Sequence, residues 1–459
     1  MGKIHHKISE IIEEKKDILI DASNYIWDLA EMKFEEFESV DHLCELLKAE
    51  GFQVERDVGG IETAFIATYG DGSPVIGILG EYDALSGMSQ QAGVPTKTPI
   101  KEGDNGHGCG HNLLGVGSLG AVLAVKQMID ERQLSGTIRY YGCPAEEGGS
   151  GKTYMVRAGL FDDVDIALTW HPGTSNSIMC GQSLANYQVY YKFKGKSSHA
   201  AISPHLGRSA LDAVELMNVG VNYLREHIIP EARVHYAVTH TGGHSPNVVQ
   251  AEAEVLYLMR APQVDDVEHI YKRINDIAKG AALMTGTEVD IVFDKACSNT
   301  IINHTLNELL HEHFEKTGVP SHTDAEKEFA QQIGQTLGKQ NVDTFLADNL
   351  EPYKRVKKVM SASTDVGDVS WVAPTAQCEV ACFAVGTPYH SWQLVSQGKT
   401  SLAHKGMLYA SKIIAATATE LLMNPEKIHV ITDEWQQQLG GKTYKSPIPP
   451  EVHPPRPLN

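Results

Sequence analysis

The chain has 459 residues, of which 42% are hydrophobic and 21% charged, and its formal net charge is −19. This composition is typical of a folded globular protein, and the length predicts two domains. The acidic charge, with no run of Lys and Arg, argues against a nucleic-acid partner and against binding to an anionic membrane.

The cysteines and the first residues bear on the compartment. There are seven cysteines, an odd number spread widely along the chain, which argues against a disulfide framework and for a reducing environment. The opening MGKIHHKISEIIEEKKD lacks the apolar stretch of a signal peptide. No apolar run approaches the roughly 20 residues that cross a bilayer. We therefore expect a cytoplasmic protein.

The first part of the chain alternates between helical and strand patterns. Helical spacing covers 8–50, 112–132 and 151–160, and short apolar strands are predicted over 64–69, 75–80, 137–143 and 165–170. Strands that alternate with helices indicate a parallel or mixed sheet covered on both faces. We therefore predict an α/β domain whose first part is 1–183.

The pattern changes over 184–296, where the order becomes strand, helix, strand, strand, helix, strand. These elements are predicted over 185–194, 207–227, 234–241, 252–260, 265–284 and 287–293. The order describes a ferredoxin-like α+β unit, which we interpret as a domain inserted into the first. The first domain resumes over 297–459, with helices at 305–317, 325–338 and 402–423, a strand at 379–385 and an extended Pro-rich tail.

Polar residues recur where predicted strands end. They are Glu81-Tyr82-Asp83, Glu146-Glu147 and His171, with Cys109-Gly-His111 leading into a helix. Ligands of open α/β sheets collect beyond the carboxyl ends of the strands, so these residues are expected to converge at one edge.

Two of these segments have the chemistry of a metal centre. A thiolate and an imidazole, as in Cys109 and His111, suit zinc or related metals, but this motif taken alone favours a Gly-rich turn with a buried thiol. Two adjacent carboxylates, Glu146 and Glu147, cannot both be buried without a cation. One would bind metal and the other accept a proton from water, unless the pair is a solvated acidic turn.

Longer motifs carry a family resemblance. They are GCGHNLLG (108–115), CPAEEGGSGK (143–152), TWHPG (169–173), KGKSSHAAISPHLGRSALDAVELM (194–217), GGHSPNVVQ (242–250), STDVGDVSW (363–371) and GTPYHS (386–391). In this order they resemble the co-catalytic metallopeptidase and aminoacylase superfamily, in its amidohydrolase branch, and are most similar to the aminobenzoyl-glutamate hydrolases. The inserted domain is a lid and dimerisation domain in that family.

The resemblance implies a centre of two divalent metal ions, zinc or manganese. Cys109 would bridge them as a thiolate, and the remaining ligands would be His111, Glu147, His171 and His390. Glu146 would be the general base.

The resemblance also assigns residues around the metals. Asp83 would support the metal site, and Asp368 matches a family Asp whose role is open. Glu81 stands where peptidase branches have a ligand His, and it might still touch the site. His107, in the long loop 86–108, is either a spare ligand or a loop histidine.

Lid-domain residues complete the implied site. His199 would reach into the active site of a partner subunit and stabilise the oxyanion, which implies a homodimer or a hetero-oligomer with a related subunit. Asn247 and Arg260 would bind the carboxylate side of the substrate, although Arg260 can also be interpreted as a surface strand residue.

The favoured function is therefore hydrolysis of an N-acyl or N-aroyl amino acid, such as an aminobenzoyl-glutamate. Two alternatives stay open. One is a dipeptidase for peptides with a basic or unusual residue, and the other is an inactive metal-binding scaffold, against which the intact Glu146 argues.

Overall fold

The computed structural model of the chain describes residues 2–338, 344–355 and 358–455. The α-helices of this part are α1 (Gly2–Glu14), α2 (Lys16–Leu29), α3 (Phe37–Ala49), α4 (His111–Arg132), α5 (Gly151–Arg157), α6 (Ala210–Leu224), α7 (Val264–Thr285), α8 (His304–Thr317), α9 (Asp324–Thr336), α10 (Val366–Val372), α11 (Trp392–Gln397), α12 (Ser401–Met423) and α13 (Glu426–Leu439). The strands are β1 (Gln53–Arg56), β2 (Phe65–Asp71), β3 (Val75–Glu81), β4 (Gly136–Cys143), β5 (Ile166–Gly173), β6 (Ser177–Ile178), β7 (Ala185–Lys194), β8 (Arg233–His240), β9 (Glu252–Ala261), β10 (Glu288–Cys297) and β11 (Thr375–Ala381).

A mixed sheet of seven strands lies at the centre of the α/β domain, in the order β1-β2-β4-β3-β5-β11-β6. Its centre is parallel, from β4 through β3 and β5 to β11, whereas the outer pairs are antiparallel. Both faces of β3 are buried, which explains its continuous apolar run VIGILG. The predicted mixed central sheet flanked by helices is confirmed.

A second sheet has four antiparallel strands in the order β10-β7-β9-β8. Helices α6 and α7 pack on one face of it, and their apolar sides join its core. In chain order the elements are β7, α6, β8, β9, α7 and β10, so the ferredoxin-like unit has the predicted order. The four strands occupy 185–297, close to the predicted insertion at 184–296.

Helix α4 runs through the centre of the α/β domain. By length and composition it is the one helix of the described residues that is suited to span a membrane, but 89% of its most apolar window is buried inside the protein. The Ser411 hydroxyl of α12 donates a hydrogen bond to the Gly117 carbonyl of α4 (2.8 Å), so the two helices lie in close contact. Burial of this kind is typical of a core helix.

Some predicted bounds are wrong. The single helical stretch 8–50 is divided into α1, α2 and α3, with Ala30 in the left-handed conformation at the end of α2. The last strand was expected at 379–385 and lies at 375–381, because the backbone N–H groups of Cys382 and Phe383 both donate to the Gly173 carbonyl and end the ladder there.

The tail packs across the junction of the two domains. Of the predicted extended tail, residues 444–455 lie within the described part. Ile448 is buried, and the Pro449 carbonyl accepts a hydrogen bond from Arg157 (2.9 Å). The Tyr444 hydroxyl donates to the Asp368 carboxylate (2.9 Å).

Candidate active site

The polar ends of β3, β4 and β5 meet at one edge of the catalytic sheet. Cys109 precedes α4, which begins at His111, and Gly110 between them has a φ of 81°. A Cβ on Gly110 would lie 2.9 Å from both Phe383 and Pro172, so only glycine fits where the loop turns into the helix. The turn presents the Cys109 thiol and the His111 ring to the same side.

Two sets of three metal-ligating atoms lie at this edge, and in each set the atoms are within 4.8 Å of one another. One set is Cys109, His111 and His171, and the other is Cys109, Glu147 and His390. Cys109 belongs to both sets. The five residues predicted as metal ligands are therefore brought together, with the thiol shared between two possible cation positions.

Each histidine of the first set has one ring nitrogen committed elsewhere. Nδ1 of His111 lies 2.8 Å from the Asp83 carboxylate, and Nδ1 of His171 lies 2.9 Å from the Pro172 carbonyl. Hydrogen bonds of this kind leave Nε2 as the free ligand atom. Nε2 of His171 accordingly lies 3.4 Å from the Cys109 sulfur.

The second set is held by backbone contacts. Asp83 accepts a hydrogen bond from the backbone N–H of Glu147 (2.9 Å), so one carboxylate supports both sets. His390 has a φ of 57°, and its N–H donates to the Gly108 carbonyl (2.8 Å). Nε2 of His390 lies 3.2 Å from the Glu147 carboxylate.

Buried atoms without a partner show that this donor set fits a cation. Nε2 of His111 and Oε1 of Glu147 are buried and form no hydrogen bond among the described residues, although the Glu81 carboxylate lies 3.3 Å from this Nε2. Such atoms cost free energy unless something binds them. Thiolate, imidazole and carboxylate together are ligands that divalent zinc and manganese accept.

The two adjacent carboxyl groups have opposite pKa shifts. Burial raises the pKa of Glu146 well above its usual value, and the charges of Glu81 and Glu147 raise it further. Burial acts the same way on Glu147, but the hydrogen bond with His390 and the charge of His111 outweigh it and lower that pKa to about 2. The two adjacent carboxyl groups therefore differ in proton affinity, which is raised at Glu146 and lowered at Glu147.

Glu81 does touch the site. It forms a third set of possible ligands with His111 and Glu146, and its Oε2 lies 3.3 Å from Nε2 of His111. Its other oxygen lies 2.6 Å from the ammonium of Lys152, which is fully buried and also binds Asp365 (2.7 Å). Sequence reasoning missed Lys152 and Asp365. The signal for Lys152 was its place in the motif CPAEEGGSGK.

His107 and Asp368 lie outside these sets. Nε2 of the buried His107 lies 2.9 Å from the Ile26 carbonyl, so the spare-ligand interpretation has no geometric support. Asp368 accepts hydrogen bonds from Thr153, Ser298 and Tyr444, and thereby ties α5, the end of β10 and the tail together. Its position indicates a structural role at the domain junction.

The five predicted metal ligands, called the ligand cluster below, are Cys109, His111, Glu147, His171 and His390. A cavity of about 400 Å³ lies between this cluster and the lid sheet, which is the four-stranded sheet of β7 to β10. Glu146, Cys109 and His171 line one side, and Arg260 of β9 lines the other. Arg260 is therefore brought to the site and is not a surface strand residue.

His199 and Asn247 are exposed and lie outside this cavity. The His199 ring accepts hydrogen bonds from the N–H groups of Ala201 and Ile202, at 3.2 Å each. A single chain therefore does not bring these two lid residues to the ligand cluster.

The sequence of residues 77–389 matches the family model of peptidase family M20/M25/M40, and the chain belongs to this family. It is 51% identical to a p-aminobenzoyl-glutamate hydrolase subunit of Escherichia coli (strain K12), over 99% of each chain. It is 28% identical to the Xaa-Arg dipeptidase of Mus musculus, over 95% of this chain and 93% of that one.

Among solved structures, a dinuclear metal-binding peptidase of the M20 family from Bacillus subtilis shares the fold, with a TM-score of 0.56 and 18% identity over 90% of this chain and 99% of that one. The family resemblance inferred from the motifs is confirmed. The chain is an enzyme that hydrolyses amide bonds.

Proposed function

We propose that the enzyme is a metal-dependent amidohydrolase that cleaves N-acyl or N-aroyl amino acids of the aminobenzoyl-glutamate type. The observation that carries the proposal is the pair of ligand sets that share Cys109, with Glu146 beside them in one cavity. The 51% identity to an aminobenzoyl-glutamate hydrolase subunit supports the substrate class.

The proposed metal centre comprises Cys109, His111, Glu147, His171 and His390, with Asp83 orienting both ligand sets. Two divalent ions bound there would polarise the scissile carbonyl and lower the pKa of the attacking water. Zinc and manganese are both compatible with these ligands.

Glu146 moves the proton in the proposed reaction. Its carboxylate accepts a proton from the attacking water and then delivers that proton to the nitrogen of the leaving amine, so the C–N bond breaks without an anionic amine. Burial and the charges of Glu81 and Glu147 raise the pKa of Glu146, which increases its affinity for the proton that it accepts. Arg260, across the cavity, binds the carboxylate of the leaving amino acid.

His199 and Asn247 are proposed to act across a subunit interface. Both are exposed on the lid domain, away from the chain's own cavity. A second copy, or a related chain, would receive His199 beside its scissile carbonyl, where the ring would stabilise the oxyanion by donating a hydrogen bond from Nε2–H. The 51% identical relative is itself one subunit of a hydrolase, which supports a related partner chain.

A metal analysis joined to a substrate panel tests the proposal. The enzyme, supplied with Zn²⁺ or Mn²⁺, is assayed on N-acyl-glutamates, N-acyl-aspartates, and Xaa-Lys and Xaa-Arg dipeptides. Turnover of acyl-glutamates is expected, with two metal ions per chain. Preference for Xaa-Arg would favour the dipeptidase alternative, which the 28% identical relative supports. If every compound stays inert with Zn²⁺ or Mn²⁺ supplied, both substrate assignments are wrong.

A further inference from the structure

Two basic side chains face the ligand cluster from the lid wall of the 400 Å³ cavity: Arg260 of β9 and Lys295 of β10. Neither side chain has a carboxylate oxygen of the described residues within 4.0 Å of its nitrogen atoms, so neither forms an ion pair there. Two unpaired positive charges in one cavity of a chain with a net charge of −19 indicate an anionic ligand.

A β-bulge places Lys295 on this wall. In β10, Phe293 pairs with Val189 and Lys295 pairs with Gln188, so Asp294 between them is an extra residue. Strict alternation from Phe293, which faces the helix layer with Val189, would turn Lys295 toward the helices as well. The bulge turns it instead to the cavity face, and bulges beside active sites often re-aim a side chain in this way.

The nearest carboxylate in the strand has another partner. Asp294 accepts a hydrogen bond from the Gln188 amide (2.7 Å). Among the described residues, Arg260 donates only to the Ser363 hydroxyl (3.3 Å), and its buried Nε has no partner there. Both cations therefore retain donors for a ligand.

The two cations are spaced for a dicarboxylate. Arg260 pairs with Asn186 of β7, and Lys295 pairs with Gln188 of the same strand. They lie on opposite sides of β7 and are offset by two residues along it. Their backbones are therefore roughly 12 Å apart, since neighbouring strands are about 4.8 Å apart and a strand rises about 3.4 Å per residue. Two long side chains and a ligand with two carboxylates span that separation.

We propose that Lys295 is a specificity-determining residue that binds the side-chain carboxylate of a dicarboxylic leaving amino acid, while Arg260 binds its α-carboxylate. The inference rests on the proposed function and deepens it. It explains selection of a glutamate conjugate over a neutral amide or a basic dipeptide, because a basic side chain would meet a like charge at Lys295.

The test compares N-benzoyl-glutamate with N-benzoyl-glutamine, which has a similar shape but no side-chain charge. The wild-type enzyme should prefer the glutamate in kcat/KM. Lys295→Met should reduce that preference by about tenfold or more, with little change for the glutamine compound, because only the charge-assisted contact is lost. Lys295→Arg should keep the preference. Lys194→Met, which removes an exposed lysine from β7 of the same sheet, is the matched control.

Calorimetric binding of both compounds to a Glu146→Gln background separates the two proposals. If that background retains the glutamate preference and Lys295→Met removes it, the inference holds even when no compound is turned over and the proposed reaction is wrong. If Lys295→Met leaves the preference unchanged, or weakens both compounds equally, Lys295 is not the specificity residue.

Discussion

The ammonium of Lys152 lies 2.6 Å from Oε1 of Glu81, and these two side chains are exposed by only 0% and 3%. Glu81 in turn faces His111, so the Lys152 charge balances an acidic residue directly beside the ligand cluster. Removing one partner from a buried ion pair leaves an uncompensated charge, which is far more costly than losing a surface pair.

Lys152→Met should therefore lower the free energy of unfolding by about 3–5 kcal/mol, measured by urea denaturation of the metal-free protein. The control is Lys412→Met, since Lys412 is partly buried and forms no ion pair among those found in the described residues. A loss no larger than that of the control would show that Lys152 does not stabilise this cluster.

Amide substitutions at Glu146 and at its neighbour Glu147 should distinguish a loss of catalysis from a loss of bound metal. Glu146→Gln is expected to reduce kcat by roughly 10²-fold or more and to keep the metal content, because the base is lost and the proposed ligands are intact. Glu147→Gln, a matched amide substitution one residue away, should lose metal. Elemental analysis and single-turnover rates check both. Loss of metal from Glu146→Gln would contradict its assignment as a base.

The lowered pKa of Glu326 should make the folded protein less stable at acidic pH. Burial raises its pKa, but hydrogen bonds from Lys405, Thr323 and Ser401 outweigh that effect and lower the pKa from 4.5 to about 2. A lowered pKa in the folded state stabilises the protein above pH 4.5, and the contribution is lost as the pH falls toward 2.

Glu326→Gln should therefore destabilise the protein by about 2–3 kcal/mol at pH 7, with a difference from wild type that shrinks between pH 4.5 and pH 2. Thermal unfolding over that pH range measures the difference. Glu328→Gln, an exposed position on the same helix, should show no such dependence. A pH-independent difference would show that ionisation of Glu326 is not its cause.

Two glycines in long helices should respond oppositely to alanine. A Cβ on Gly117 in α4 would lie 2.4 Å from the Trp170 ring, so Gly117→Ala should cost about 1–3 kcal/mol through overpacking. A Cβ added to Gly280 in α7 would have nothing within 4 Å, so Gly280→Ala should stabilise by about 0.5–1 kcal/mol. Chemical denaturation of both variants measures the contrast, and equal effects would contradict it.

The ligand cluster was predictable because chain order and strand direction together bring its residues to one edge of the sheet. Parallel strands end at the same sheet edge, so Glu81, Glu147 and His171 converge once the alternation of strands and helices is recognised. His390 was harder, since it lies in a loop and is fixed by a hydrogen bond to Gly108, 282 positions earlier in the chain. Only the family motif pointed to it.

Other features depend on contacts that no local pattern encodes. Lys152 and Asp365 are 213 residues apart, and a lysine beside a Gly-rich turn is ordinarily a solvated side chain. In β10, the alternation of Val289, Ile291 and Phe293 predicts that Lys295 faces the helices. The bulge reverses that direction, and a bulge is decided by pairing with β7 rather than by the strand's own residues.

The strand order of the catalytic sheet has a consequence for synthesis of the chain. β11 lies between β5 and β6, but it follows the whole lid sheet in the sequence. As the polypeptide leaves the ribosome from its N-terminus, all four lid strands emerge before β11 does. Until then the edge of β5 in the nascent catalytic domain stays unpaired, and an unpaired apolar edge is where aggregation begins. The lid can fold first, whereas the sheet edge that carries the ligand cluster is completed only near the end of translation.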